Sequence, residues 1–324
     1  MDSFVSPLLL EKDPDMLTEF IVFQDKIEDA TAKAAVLPRA AALPICLWPT
    51  QRARKILEGR LGRLLADVWK YGDGDDKSRE VFGPWMKTYI SEKATPELAA
   101  EHLIGLVFAA HKNPSIGASQ CLCFLRNDIS EKQQALATEE ARKLHTQIQS
   151  ASSENKTVVA ALLEAKTLRS CVLETSRVTA HTLGALRYAE QSLEVQAATT
   201  ANPSTKRSLV IQQGETIAVA HHTTHMEPSL WGKDASNFSL DRPEWKDDNA
   251  KLGLAVPVDQ YKFTSFSNGV HKCPGERVAL AMMEMMLGLL LLRDAKFVGE
   301  IPQISFERAT LAQRAGPCAF RLKR

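Results

Sequence analysis

Phe266-Ser267-Asn268-Gly269-Val270-His271-Lys272-Cys273-Pro274-Gly275-Glu276 sets one cysteine behind an aromatic residue and a glycine, directly ahead of a long apolar run at 278–292. The length of that run predicts a helix, so Cys273 stands at its mouth. Free backbone N–H groups and the positive end of the helix dipole favour a thiolate there and suit it to ligate a metal. Three further segments lie upstream in fixed order: Glu174-Thr175-Ser176-Arg177, then Glu227-Pro228-Ser229-Leu230-Trp231, then Phe238-Ser239-Leu240-Asp241-Arg242. The first puts a carboxylate and a guanidinium one turn apart on one helix face.

Around these segments the chain reads as helix upon helix followed by short strands. Residues 15–36 are periodic, and 49–69 place Leu57, Leu61, Leu64, Leu65 and Val68 on one face, with Pro49 in the first turn. A polar break at 72–76 precedes a short helix over 80–91. Thr95-Pro96-Glu97 combines a cap, a first-turn proline and an acid, and opens a helix reaching about Arg126. Ser130 with Gln133 is a capping-box pair opening another helix to about Gln149, and a polar loop at 152–155 leads into a helix over 157–178. From Arg207 the pattern turns to strands, 208–212 and 215–220 around Gln213-Gly214, which predicts a hairpin. Residues 231–245 read as loop, and short strands surround Gly316-Pro317. With no internal repeat, the expectation is a single domain over 1–324, mainly α with a small β part: helices over 1–94, then a core over 95–324.

Composition excludes several classes. Lys plus Arg total 40 against 39 Asp plus Glu, a formal charge of +1, so no field exists for nucleic acid or an acidic membrane. The cysteines, at 46, 121, 123, 171, 273 and 318, form no C-x-x-C pair and follow no signal peptide, so reduced thiols in a cytosol-facing protein are expected. The apolar run at 278–292 carries Glu284 and falls short of the roughly 18 to 20 clean residues that span a bilayer, so no membrane anchor is expected in this chain. His221, His222 and His225 sit at a strand end, a spacing that does not gather three imidazoles on a metal.

The cysteine segment resembles the haem-ligand loop of the cytochrome P-450 superfamily, F-x-x-G-x-x-x-C-x-G, matched at Phe266, Gly269, Cys273 and Gly275. The upstream segments resemble that family's E-x-x-R helix, its acid-Pro-x-x-Trp segment and its aromatic-and-arginine stretch. The resemblance implies a cytochrome P-450-like fold lacking much of the N-terminal portion, with haem b as cofactor and Cys273 as axial iron ligand. It implies that Phe266 packs on the porphyrin, that Gly269 and Gly275 belong to the cofactor-binding loop, and that His271 contacts a propionate. Glu174, Arg177 and Arg242 would form a buried structural network. The implied activity is oxidation of a small lipophilic molecule with O2 and electrons from NADPH through a reductase. A full-length version would be anchored to the endoplasmic reticulum.

The chain departs from the family in its central helix. The oxygen-activating groove, ordinarily small, small, x, acid, threonine, reads Ala109-Ala110-His111-Lys112-Asn113, followed by Pro114. Ala109, Ala110 and Asn113 are the candidate catalytic positions, and Thr182 and Leu183 are positional candidates for substrate contact. Lysine replaces the acid and an amide replaces the alcohol, so the usual proton relay is absent. Pro114 lacks an N–H and crowds the carbonyl of Ala110, which predicts a kink. Two alternatives follow. One is a haem-thiolate isomerase or dehydratase needing no reductase; the other is a truncated, non-catalytic haem-binding relative, since only about 95 residues precede the central helix.

Overall fold

The structure, a computed structural model, describes residues 13–34, 37–69, 88–89, 91–150, 155–180, 184–199, 202–246, 261–306 and 312–323. They divide into two compact units, Met1–Lys112 and Asn113–Arg324. The predicted break at 72–76 lies outside the described residues, as does nearly all of the predicted helix at 80–91.

In the first unit, helix α1 (Met16–Ala34) packs with α2 (Trp48–Trp69) and the leading half of α3 (Pro96–Asn127). Their shared core contains Phe20, Phe23, Leu57, Leu61, Leu65, Leu103 and Val107. Leu57, Leu61 and Leu65 form the buried stripe that the spacing predicts, and Leu64 packs at its edge. Pro49 lies in the first turn of α2, as its position predicts, although that turn follows directly on other helical backbone. Helical backbone already runs from Arg39 through a π-turn at Leu43–Leu47, where the N–H of Trp48 donates to the carbonyl of Leu43. The slipped register interrupts the α ladder just where Pro44 and Pro49 have no N–H to give.

Helix α3 begins as its signals predict, with Thr95 Oγ1 accepting from the Leu98 N–H at 3.2 Å, and runs for 32 residues with Pro114 helical and buried inside it. Within the second unit its trailing half packs with α4 (Glu131–Ser150), α5 (Asn155–Glu164), α6 (Lys166–Val178) and a later helix at Glu276–Leu292. Close approach there depends on small residues. A Cβ at Gly117 would stand 2.5 Å from Met283, and one at Gly288 would touch Ala141, Leu144 and Leu168 at 3.8–3.9 Å. The capping box is formed: Ser130 Oγ accepts from the Gln133 N–H at 3.3 Å, and Gln133 Oε1 accepts from the Ser130 N–H at 3.4 Å.

The single helix predicted over 157–178 is two helices, broken at Ala165 with φ −80° and ψ 61°. The new N-terminus is capped from another helix. The Glu140 carboxylate on α4 accepts from the N–H groups of Thr167 (2.8 Å) and Leu168 (3.1 Å) and from Thr167 Oγ1 (2.7 Å). A cap supplied across space leaves no local signal.

The predicted hairpin is likewise corrected. Strands β1 (Gly184–Tyr188), β2 (Leu193–Thr199), β3 (Asn202–Ile211) and β4 (Thr216–Val219) pair antiparallel as β2 with β3 and β1 with β4. The two runs flanking Gln213-Gly214 are both strands but not each other's partners. Gly214, at φ +91°, returns the chain to β1, with its N–H on the Ala189 carbonyl at 2.9 Å. Short helices α7 (His221–His225) and α8 (Pro228–Trp231) follow, and then α9 (Glu276–Leu292). The C-terminal strands β5 (Lys296–Val298), β6 (Ile304–Ser305), β7 (Gln313–Arg314) and β8 (Ala319–Arg321) pair β5 with β8 and β6 with β7. The fold is thus mainly α with small antiparallel ribbons.

Candidate functional site

Helix α6 buries its charged pair completely. Glu174 and Arg177 are both fully inaccessible and Arg242 is 3% exposed. The Glu174 carboxylate accepts five hydrogen bonds. Arg177 supplies two, Nε at 2.9 Å and Nη2 at 2.8 Å; Arg242 Nε supplies one at 2.7 Å, the Ser239 N–H one at 3.0 Å and Trp245 Nε1 one at 3.1 Å. The remaining guanidinium donors end on backbone, with Arg242 Nη1 also 3.5 Å from the Asp234 carboxylate. Arg177 reaches the carbonyls of His225, Ala235 and Asn237, and Arg242 those of Trp231, Asp234 and Asn237. One carboxylate between two cations, with the donors spent on a loop, is the arrangement in which buried charge is tolerated. Phe238 stacks on Phe124 with centroids 4.4 Å apart, so the aromatic of this segment serves packing.

Sequence reasoning missed the role of His225. It is fully buried, and its Nδ1–H donates to the Arg177 carbonyl at 2.9 Å, while its Nε2 accepts from the Thr264 N–H at 2.9 Å. Those partners require the neutral tautomer, and burial pulls its pKa down to about 3. His221 Nδ1 meets Thr264 Oγ1 at 2.8 Å, and the described residues hold no cluster of three or more metal-ligating side chains. A sequence cue existed in the position of His225, two residues before Glu227-Pro228.

Through Thr264 the buried network reaches the cysteine loop. Ser265 Oγ donates to the Ser176 carbonyl on α6 at 2.6 Å. Ser267, at φ +59°, and Gly269, at φ +69°, both occupy the left-handed region and bend the chain back. The Cys273 N–H then closes on the Phe266 carbonyl at 2.8 Å, and the Lys272 N–H on the Gly269 carbonyl at 3.0 Å. Lys272 pairs with Glu276 in the first turn of α9 at 2.7 Å. Phe266 is half-buried against the core and near Phe263, with centroids 6.3 Å apart.

The outer side of this loop contrasts with its anchored side. Cys273 is exposed, as are His271 and Gly269, and Val270 is 97% exposed. A Cβ on Gly269 would meet no atom within 4 Å, and one on Gly275 would lie 3.8 Å from the Cys273 sulfur. A thiol with free approach, beside a glycine with open space over it and an aromatic ring, is a donor set that fits a haem. In the central helix, Ala109 and Asn113 are exposed and Ala110 is half-buried. Lys112 is ion-paired with Glu28 at 2.6 Å and with Asp25 at 3.7 Å, both on α1. Beside it, His111 Nδ1 contacts Gln24 Oε1 at 3.1 Å. Thr182 and Leu183 lie outside the described residues.

Comparison with known proteins agrees with this geometry. The cytochrome P450 family model matches residues 101–293, more than half of the chain and inclusive of the Glu174 network and the cysteine loop. The chain belongs to the cytochrome P450 family. It is 24% identical over 232 residues to the cytochrome P450 monooxygenase iccC of Talaromyces variabilis, which covers 72% of this chain and 40% of that protein. The chain therefore spans less than half the length of the curated relative it matches. No described helix is long and apolar enough to cross a membrane.

Proposed function

We propose that this chain is the haem-binding part of a haem-thiolate monooxygenase acting on a small lipophilic molecule, with the whole chain working as one domain. The observation that carries the proposal is the exposed Cys273 thiol on a loop bonded back to a fully buried Glu174–Arg177–Arg242 network. Cys273 would hold the iron as thiolate, with Phe266 against the macrocycle, Gly269 and Gly275 admitting it, and His271 near a propionate. When bound, the haem supplies oxygen activation at a thiolate-ligated iron. The chain's own residues do the positioning. The network holds the loop from behind, so the sulfur keeps its place while its outer side stays free. The named relative is a monooxygenase, and electrons from NADPH through a reductase belong to this proposal.

The groove residues bear on the route of protons. Lys112 is engaged by Glu28 and Asp25, which leaves Asn113 to order water, since an amide neither gives nor takes a proton near neutral pH. The same feature favours a second reading, a rearrangement of an already oxygenated substrate without a reductase.

The deciding measurement is the absorption spectrum of the reduced carbon-monoxide complex. The wild type is expected to show a thiolate-ligated band that disappears in Cys273→Ala. A band surviving that substitution overturns the ligand assignment, and a chain that takes up no haem supports the non-catalytic alternative. Asn113→Thr separates the two enzymatic readings. It should tighten coupling of NADPH consumption to product in a monooxygenase and leave a reductase-free rearrangement unchanged or slower.

A further inference from the structure

Helix α3 carries two cysteines two residues apart, and each meets a second cysteine from a distant part of the chain. Cys121 contacts Cys171 on α6. Both are fully buried, and each thiol points at the other's backbone carbonyl, at 3.6 and 4.0 Å. Cys123 instead shares a cavity with Cys318. Both line a cavity of about 320 Å³ between α3 and the C-terminal strands, together with Ser119, Phe297, Arg314 and Phe320. Cys123 is 1% exposed, whereas Cys318 is half-exposed. The two pairs therefore share a chemistry and differ in access.

We propose that Cys318 is an oxidation site for hydroperoxides and that Cys123 is its resolving thiol. Cys318 Sγ attacks the O–O bond of a hydroperoxide, gaining one oxygen as a sulfenic acid while the peroxide leaves as the alcohol, or as water from hydrogen peroxide. Cys123 Sγ then attacks the Cys318 sulfur. The sulfenic oxygen departs as water, taking up the thiol proton, and the S–S bond forms; the two electrons have passed from the sulfurs to the peroxide oxygen. The closed disulfide ties the segment just ahead of strand β8 to helix α3 across the cavity.

The surroundings divide the roles. Arg314 is fixed by Nε donating to Gln120 Oε1 at 2.8 Å and Nη1 to the Pro302 carbonyl at 3.1 Å. Its guanidinium lies 5.0 Å from the Phe124 ring centroid, and Arg314 lines the same cavity as the two cysteines. This cation opposes the effect of burial on Cys123 without overcoming it. Burial pushes the Cys123 thiol up to about 12, with Cys318 adding to the rise, so the first oxidation falls on the more accessible Cys318.

Peptide mapping of the full chain after graded hydrogen peroxide, with alkylation of the remaining thiols, tests this. Trypsin places Cys121 and Cys123 together in peptide 113–126 and Cys318 alone in peptide 315–321. The expected product is a 113–126/315–321 disulfide whose fragmentation assigns Cys123, with Cys121 and Cys171 recovered as unoxidised thiols. In Cys123→Ser, the sulfenic acid on Cys318 should persist and react with dimedone, and in Cys318→Ser the linked peptide should vanish. The wild-type map stands by itself if either variant folds poorly. Cys318 recovered unoxidised at doses that oxidise Cys273, a link to Cys121, or a dimer joined through Cys318 would each overturn the proposal.

Discussion

The Glu174 network and the cysteine loop are neighbours along one chain of hydrogen bonds, yet they are built on opposite principles. In the network, five donors converge on one carboxylate and the surplus guanidinium N–H groups end on loop carbonyls, all within 3.1 Å. On the loop, the inner side is bonded back to α6 while Cys273 and His271 are exposed. The difference teaches how a fold holds a reactive atom: satisfied hydrogen bonds behind it, exposure in front of it. His225 is the joint between them, bonded to Arg177 on one side and Thr264 on the other.

The harshest way to break the contrast is Arg177→Ala. It strands Glu174 with one cation left and takes the guanidinium donor from the carbonyls of His225 and Ala235, at a cost of about 3 to 5 kcal/mol. Urea unfolding should show most of the chain's stability gone, and a variant of unchanged midpoint would contradict the network's role. Arg242→Ala should follow in the same direction with a smaller loss.

Next is a buried charge that lacks such satisfaction. Glu284 on α9 is fully buried, with Arg169 at 3.1 Å as its ion-pair partner, and burial pushes its pKa up to about 7 despite that cation. The folded state therefore holds the Glu284 proton more tightly than the unfolded chain does. This stabilisation is full below the ordinary carboxylate range and is lost as pH rises through about 7. Glu284→Gln, which keeps the shape without the titration, should gain on the wild type by on the order of 2 kcal/mol between pH 5 and pH 8. A pH-independent difference between the two midpoints would refute the assignment.

Two smaller effects sharpen the loop side. Gly269→Ala asks a side chain to adopt φ +69° where space is open, so the cost is conformational only, about 1 kcal/mol by thermal unfolding. Cys273→Ala, in the haem-free chain, removes an exposed sulfur and should move stability by less than about 0.5 kcal/mol, although it abolishes the thiolate spectrum. A large loss of haem-free stability would mean that Cys273 is part of the packing.

Much of the candidate site was legible because its signals are local. Glu174 and Arg177 lie one helical turn apart, Cys273 precedes an apolar helix, and Thr95-Pro96-Glu97 marks the start of α3 at the residue where it begins. Periodicity and capping act over a few residues, so the amino-acid order alone determined the helices, the buried stripe of α2, the mainly α class and the likeness to a haem-thiolate family. Tertiary structure decided everything that depends on a partner far along the chain. The split at Ala165 required Glu140, the strand pairing required β1 and β2 to return to β4 and β3, and the quiet role of His225 required Thr264. Lys112, read as a lost acid, proved to be engaged by Glu28, and Cys123 shares a cavity with Cys318, 195 positions away. Hydrogen bonds and ion pairs are set by distance in space, and no spacing in sequence encodes a contact that only the folded chain makes.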